Sequence, residues 1–140
     1  MYFKLLLTAS LLLIGTEKGH TQGSPANIID SLRQVLQHTR SASERAFTLA
    51  QISIHVSESN PDSGLALANN GIALTHGIHN DTAFAFYLNA QGWAYFRRGQ
   101  NDSAINCLTQ AVSILKKLNC KKEECSTLLN LTAVFDAEDN

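Results

Sequence analysis

The side chains that could carry out chemistry in this sequence are few, and their spacing favours structural roles. His76 and His79 lie one helical turn apart and could share a metal ion, but no third ligand stands at a suitable spacing. Ser53 and His55 are two residues apart, which points them to different faces of a helix. No paired carboxylates or phosphate-binding glycine loop stand out. We therefore expect no catalytic residues, no metal site and no cofactor.

The three cysteines, Cys107, Cys120 and Cys125, are odd in number, so they cannot all pair within one chain. On antiparallel helices Cys107 would lie opposite a residue near Ala133, beyond disulfide reach of Cys125. Small buried or half-buried thiols are the favoured interpretation. A bridge between Cys120 and Cys125 is the alternative in an oxidising compartment.

The composition fits one small globular domain, because the chain has 140 residues, of which 44% are hydrophobic and 16% are charged. A formal net charge of -1 provides no strong field for nucleic acid or an anionic membrane. Lysines cluster between Lys116 and Lys122, but Glu123 follows at once and no aromatic residues interleave. We expect no nucleic-acid partner.

The N-terminus has the pattern of a secretory signal peptide. Lys4 is followed by a mostly apolar run over residues 5–14 and then by a polar stretch over 16–23. That run is too short to cross roughly 30 Å of hydrocarbon as a helix, so a membrane anchor is the weaker alternative. We predict a signal peptide over residues 1–21, with cleavage after Gly23 as the other choice. The mature protein would be exported, to the periplasm or the medium.

A period of forty residues organises the rest of the chain. Residues 60–63 (Asn-Pro-Asp-Ser) fall on residues 100–103 (Gln-Asn-Asp-Ser) at this offset, and Leu88 falls on Leu128. Helix-spaced apolar residues that recur at a fixed period are typical of helical repeat arrays. Glycine and proline are sparse and no alternating strand pattern occurs, so the sequence predicts an all-α fold of antiparallel helix hairpins.

Caps and turn residues divide each period into two helices. Ser41 opens a capping box, and Asn60 with the proline after it begins the next helix. Gly99 ends a helix, and Asn101 caps the one that follows. These signals predict a helical domain over residues 27–140. It comprises a capping helix over 27–39, a first repeat over 43–79, a second over 81–118 and an incomplete third over 121–137.

Residues 85–118 resemble a tetratricopeptide repeat. The resemblance lies in small and aromatic residues at that family's spacing, which are Gly92, Tyr95, Gly99, Ala104 and Ala111. It implies that Gly92 and Ala104 are small because two helices cross there, with Tyr95 filling the space beside them. Ala111 would let the next hairpin approach. The period exceeds the usual 34 residues. Leucine, glutamine and lysine at positions 88, 91 and 116 also depart from the family pattern.

The order of segments near the N-terminus is similar to that of exported sensor regions in Bacteroidetes-type signalling proteins. Residues 29–32 (Ile-Asp-Ser-Leu), 41–45 and 60–65 carry this resemblance. It implies a bacterial protein and an alternative function. The chain would then be the truncated N-terminal sensory region of a membrane-bound signal-transduction protein, either a histidine kinase or a transcriptional regulator.

Tetratricopeptide arrays present the first helix of each hairpin along a concave groove. The resemblance therefore implies a partner-binding groove lined by Phe86, Asn89, Trp93, Phe96 and Arg97. Tryptophan and arginine are common in binding hot spots, and an asparagine amide can hold a peptide backbone. For the two phenylalanines, ordinary core packing is an equal alternative. We expect a non-catalytic scaffold whose partner is a protein or a peptide.

The third unit stops after its first helix, in which Leu128, Leu131 and Phe135 occupy hairpin-packing positions. An uncapped face of this kind leaves apolar side chains in water. Three explanations stay open. The chain is a truncated piece of a longer protein, which we favour, or it self-associates through this C-terminal face, or the helix tolerates exposure.

Overall fold

The computed structural model describes residues 24–76 and 79–138, and the chain forms six helices in these two ranges. They are α1 (Pro25–His38), α2 (Ala42–Ser59), α3 (Pro61–His76), α4 (Asp81–Arg97), α5 (Asn101–Lys117) and α6 (Lys121–Glu138). The prediction of an all-α fold is confirmed. None of these helices is both long and apolar enough to span a membrane. The predicted signal peptide over residues 1–21 lies outside the described residues.

Helix α4 lies at the centre of the molecule. It packs against α2, α3, α5 and α6, while α1 covers the other side of α2. Most of the first three turns of α4 are therefore buried on every side, as expected for a helix surrounded by neighbours. Two apolar clusters result. One joins α2, α3 and α4 and includes Leu115 of α5, and the other lies between α5 and α6 around Ala104, Leu108 and Val134.

Side-chain caps begin three of the six helices, and the sequence predicts those at Ser41 and Asn60. The Ser41 hydroxyl accepts the Glu44 amide at 3.4 Å. Asn60 and Asn80 each accept the amide three residues later at 3.0 Å, which satisfies an otherwise unpaired donor of the first turn. The predicted cap at Asn101 is wrong, since Asn101 is itself the first residue of α5 and no side-chain cap precedes it.

Helices α4 and α5 end in the same tight backbone turn. After α4, Gly99 adopts a left-handed φ of 72°, and the Gln100 amide donates to the Tyr95 carbonyl at 2.9 Å. After α5, Asn119 takes φ of 57° and the Cys120 amide donates to the Leu115 carbonyl at 2.9 Å. This Schellman arrangement satisfies terminal carbonyls and reverses the chain within three residues.

The crossing of α4 and α5 requires small residues. A β-carbon on Gly92 would lie 2.7 Å from Leu108 Cγ and 3.2 Å from the Ala104 carbonyl oxygen. Ala104 and Ala111 are fully buried, and Tyr95 packs against the cluster formed by Ala104, Leu108 and Val134. Gly92, Ala104 and Tyr95 thus lie together at one crossing, whereas Gly99 serves the turn and has no atom near its missing side chain.

Candidate partner-binding surface

The five residues expected to line a groove all lie on α4, but the structure divides them into two sets. Phe86 belongs to the first set and is only 7% exposed. Its ring packs edge-to-face against Phe47 of α2, with centroids 5.1 Å apart and planes at 72°, a favoured arrangement for aromatic pairs. Phe86 is therefore a core residue, which was the alternative that the sequence left open.

Asn89, the second member of this set, is 6% exposed. Its side-chain oxygen accepts a hydrogen bond from the amide nitrogen of Asn130 on α6 at 2.9 Å. Because a buried amide is costly unless it is paired, this bond ties α4 to α6. Asn89 therefore contacts a neighbouring helix through its side-chain oxygen, and its role towards a peptide stays a prediction.

The space between α2, α4 and α6 is too small for a ligand at this level. The cavity lined by Phe47, Gln51, Phe86, Asn89 and Thr127 measures about 10 Å³. That is about the room one water molecule needs. The first half of the expected groove is therefore closed by the approach of α6.

Trp93, Phe96 and Arg97 form the second set, one to two turns further along α4. Trp93 and Phe96 are half-buried, and their rings lie 5.2 Å apart at an angle of 53°. Phe96 also packs against the cluster of Ala104, Leu108 and Val134. Arg97, one turn beyond Trp93, is exposed at the end of the helix. These three side chains are therefore accessible to solvent, unlike Phe86 and Asn89.

The residue that organises this second set is Glu58, which no sequence pattern singled out. The indole N–H of Trp93 donates to Glu58 Oε1 at 2.7 Å, and Arg97 Nη2 lies 3.5 Å from Glu58 Oε2. One carboxylate on α2 therefore holds two side chains of α4. We call Trp93, Phe96, Arg97 and Glu58 the Trp93 platform.

The position of Glu58 is unusual for a carboxylate. It lies in the last turn of α2, where the partial negative charge of the helix disfavours an acid, and α2 has no basic residue there. The side chains of Arg97 and Glu58 are 39% and 35% exposed, so the ion pair itself contributes at most about 1 kcal/mol. The arrangement mainly fixes the orientation of the indole.

A second polar link joins α4 to α3 and α5. Gln91 Nε2 donates to Asn69 Oδ1 of α3 at 2.8 Å, and Gln91 Oε1 accepts from the Cys107 thiol of α5 at 3.2 Å. Burial raises the pKa of this thiol. Glutamine at position 91, a departure from the tetratricopeptide pattern, thus joins three helices by its side-chain amide.

The remaining candidates for chemistry do not assemble into a site. Cys107 is buried, Cys120 half-buried and Cys125 exposed, and all three are free thiols. No group of three or more metal-ligating side chains lies together among residues 24–76 and 79–138. His79 is exposed and adopts φ of 47° in the turn before α4.

Comparisons with known proteins identify no relative of this chain. The tetratricopeptide resemblance rests on the residues of the chain itself. No family model matches the chain, and no curated protein or solved structure matches it either.

Proposed function

We propose that this chain is a non-catalytic interaction module that binds a peptide or a protein segment on the Trp93 platform. The observation that supports it most directly is the pair of half-buried rings, Trp93 and Phe96, beside an exposed arginine. Tryptophan and arginine dominate measured binding hot spots, and such residues bind best when most of their surface is already fixed.

The hydrogen bond to Glu58 supports this proposal because it removes a cost of binding. A free tryptophan side chain loses rotamer freedom when a partner immobilises it, roughly 0.5 to 1.5 kcal/mol for a flexible interface residue. Here the 2.7 Å bond from the indole already holds the ring in place. The platform is thereby pre-organised, and the partner meets a rigid aromatic surface.

The chemistry of the platform indicates the kind of segment it would take. The rings of Trp93 and Phe96 would contact an apolar side chain. A guanidinium has five N–H donors. The exposed Arg97 could therefore bind a carbonyl or carboxylate oxygen of the ligand as well as Glu58. A short peptide with an apolar residue next to an acceptor group would satisfy both parts of the surface.

We further propose that the platform lies on a tetratricopeptide-like array of helix hairpins in an exported bacterial protein. The close approach of Gly92 to Ala104 and Leu108, with Tyr95 beside them, supports this part of the proposal. In such an array the first helices α2, α4 and α6 share one surface, and a groove between α2 and α4 is where Glu58 and Trp93 meet.

The test is a selection of peptides from a displayed random library against the purified chain, followed by affinity measurements. We expect Trp93→Ala to weaken the selected peptides by 30-fold or more, since loss of a hot-spot residue costs about 2 kcal/mol or more. Phe135→Ala is the matched control, because Phe135 is an aromatic residue that is 46% exposed on α6, away from the platform. Circular dichroism should show equal helical content in both variants. Peptides that bind Trp93→Ala as tightly as the wild type would remove the assignment.

A second candidate is the sensory region of a membrane-bound signalling protein, in which ligand binding is passed to a kinase or regulator domain. The observation in its favour is the order of segments 29–32, 41–45 and 60–65, which now fall in α1, at the start of α2 and at the start of α3. Sequencing the genomic DNA beyond codon 140 tests it. A reading frame that continues into further repeats and a membrane helix would favour the sensor, and a stop codon there would exclude it.

A further inference from the structure

The turn between α5 and α6 carries the densest positive charge among the described residues. Two lysines end α5, two begin α6, and the chain reverses between them within three residues. All four lysines are exposed, and so is Leu118 in the turn, at 41%. We call this set the lysine corner, which consists of Lys116, Lys117, Leu118, Lys121 and Lys122.

No carboxylate of the described residues forms an ion pair with the lysine corner. The three ion pairs of this part of the chain all involve arginines, and none includes a lysine. The next acids in sequence, Glu123 and Glu124, are half-buried. Glu123 lines the small cavity between α2, α4 and α6, on the inner side of α6. The four ammonium groups are therefore available to an external partner.

The lysine corner makes one end of the molecule positive, while the other end is negative. Six basic residues lie at the end where α5 stops, against four acidic ones. They are Lys116, Lys117, Lys121, Lys122, Arg40 and Arg45 against Glu44, Asp81, Glu123 and Glu124. At the end where α5 starts, two basic residues stand against five acidic ones. They are Arg97 and Arg98 against Glu58, Asp62, Asp102, Asp136 and Glu138.

This separation of charge is hidden in the formal net charge of -1. An anionic surface attracts the positive end and repels the negative end, so the molecule approaches it with the lysine corner first. The two ends are about 25 Å apart, the length of the 17-residue α5. At physiological ionic strength charges are screened beyond about 8 Å. A surface that touches the corner therefore interacts with the positive end alone.

The shape and composition of the corner favour a lipid surface over an acidic peptide. Peptides bind in grooves or along sheet edges, whereas this corner is convex, because two antiparallel helices meet there in a tight turn. Leu118 adds an apolar side chain among the lysines. Lysine stems can lie along the apolar layer of a bilayer while their ammonium groups stay at the headgroups. We propose that the lysine corner binds a bilayer surface that contains anionic phospholipid, with Leu118 inserted at the headgroup level.

This orientation points the Trp93 platform away from the bilayer. Asp81, the first residue of α4, lies at the corner end, and Trp93 follows it by twelve residues, or about 18 Å along the helix. The platform would stay accessible to a peptide while the chain is on the membrane. Membrane binding does not depend on the proposed function, because the corner lies on α5 and α6 and the platform on α2 and α4.

The test is co-sedimentation of the purified protein with vesicles of equal parts phosphatidylcholine and phosphatidylglycerol, at an ionic strength of about 0.05 M. Each lysine at an anionic surface strengthens binding about fivefold, so Lys121→Gln with Lys122→Gln should weaken it about 25-fold. Replacing all four lysines should reduce binding to the level of pure phosphatidylcholine vesicles. An ionic strength of about 0.5 M should release most of the wild type, since exposed charges are then screened.

Arg33→Gln with Arg98→Gln is the matched control. It removes the same number of positive charges from exposed arginines on α1 and just after α4, away from the corner. This variant should bind the vesicles as the wild type does, and circular dichroism should show equal helical content in all variants. All variants have the same N-terminus, so its contribution is common to them. An equal loss of binding in the arginine and lysine double variants would mean that net charge alone governs binding, and would overturn the proposal.

The depth and orientation of the contact are tested through Leu118. Leu118→Ser should weaken binding about fourfold or more, since one buried methylene is worth about that much. Leu118→Trp should add fluorescence that brominated lipid quenches, while Trp93 of the wild type should stay unquenched. Quenching of Trp93 in the wild type would contradict the orientation.

A wild type that does not bind the anionic vesicles would overturn the proposal outright. In that case polyglutamate coupled to a matrix tests the other class of partner. Retention of the wild type on this matrix, with loss of retention when all four lysines are replaced, would assign the corner to an acidic protein instead of a bilayer.

Discussion

Trp93 and Glu58 are 35 residues apart in the chain, yet the indole N–H of one donates to the carboxylate of the other at 2.7 Å. The bond joins the last turn of α2 to the second half of α4. It places a carboxylate where the helix dipole disfavours it, and it gives a half-buried tryptophan a fixed orientation. This bond makes the side chains of the Trp93 platform one continuous surface.

Removing Glu58 should loosen Trp93 without unfolding the protein. Because Glu58 and Arg97 are each more than a third exposed, we expect Glu58→Ala to change the free energy of unfolding by less than about 1 kcal/mol. The chain contains one tryptophan, so its fluorescence reports on Trp93 alone. The variant should show lower fluorescence anisotropy and stronger quenching by iodide. Glu58→Gln keeps an acceptor for the indole and should have the same anisotropy as the wild type. Equal anisotropy in the wild type, Glu58→Ala and Glu58→Gln would contradict the structural role of Glu58.

Substitutions in the two tight turns after α4 and α5 should change the free energy of unfolding by different amounts. Gly99 has φ of 72° and no atoms within 4 Å of the place where a β-carbon would lie, so Gly99→Ala adds only backbone strain, roughly 1 to 2 kcal/mol. Gly99→Asn should cost less, since Asn119 already adopts φ of 57° at the equivalent place. Conversely, Asn119→Gly should be neutral or slightly stabilising. Urea unfolding measures all three variants, and an Asn119→Gly that destabilises by more than Gly99→Ala would refute this account.

The three thiols should differ in reactivity in the order of their exposure. Cys125 is exposed, Cys120 half-buried and Cys107 buried. Burial also raises the pKa of the Cys107 thiol, so less of it is thiolate, the reactive form, at neutral pH. Timed alkylation of the monomer at low concentration, followed by peptide mass spectrometry, should modify Cys125 first and Cys107 last. In urea the three rates should converge, and a fast Cys107 in the native protein would show that α5 opens locally.

Local signals in the sequence were sufficient to predict much of the fold. Ser41, Asn60 and Asn80 cap helices because each carries a short polar side chain before a helix-spaced apolar pattern. Gly99 ends α4 because glycine adopts the left-handed conformation easily. Asn101 shows the limit of such signals, since the tight turn at Gly99 and Gln100 starts the next helix one residue early.

Local sequence signals could not predict which of the five candidate groove residues are buried and which are exposed. Phe86, Asn89 and Trp93 follow one another on α4 at spacings of three and four residues. Helical periodicity therefore does not distinguish them. Their burial depends on where α6 lies, and α6 begins more than thirty residues after Asn89. Glu58 was missed for a similar reason, although an acid in the last turn of a helix could have drawn attention to it.

The crossing of α4 and α5 gives the most quantitative prediction. Gly92→Ala places a β-carbon 2.7 Å from Leu108 Cγ, and overpacking of this kind typically costs about 1 to 3 kcal/mol. The same change gains up to about 1 kcal/mol of helix propensity, so we expect a net loss of about 1 kcal/mol. Leu108→Ala removes a fully buried side chain and should cost about 3 kcal/mol. In the Leu108→Ala background the contact with Leu108 is absent and only the 3.2 Å approach to the Ala104 carbonyl oxygen remains, so Gly92→Ala should cost less than it does in the wild type. The double-mutant cycle, measured by urea unfolding, should therefore show a favourable coupling of roughly 1 to 2 kcal/mol, because the two sites touch. Additive effects would mean that α4 and α5 do not cross at Gly92.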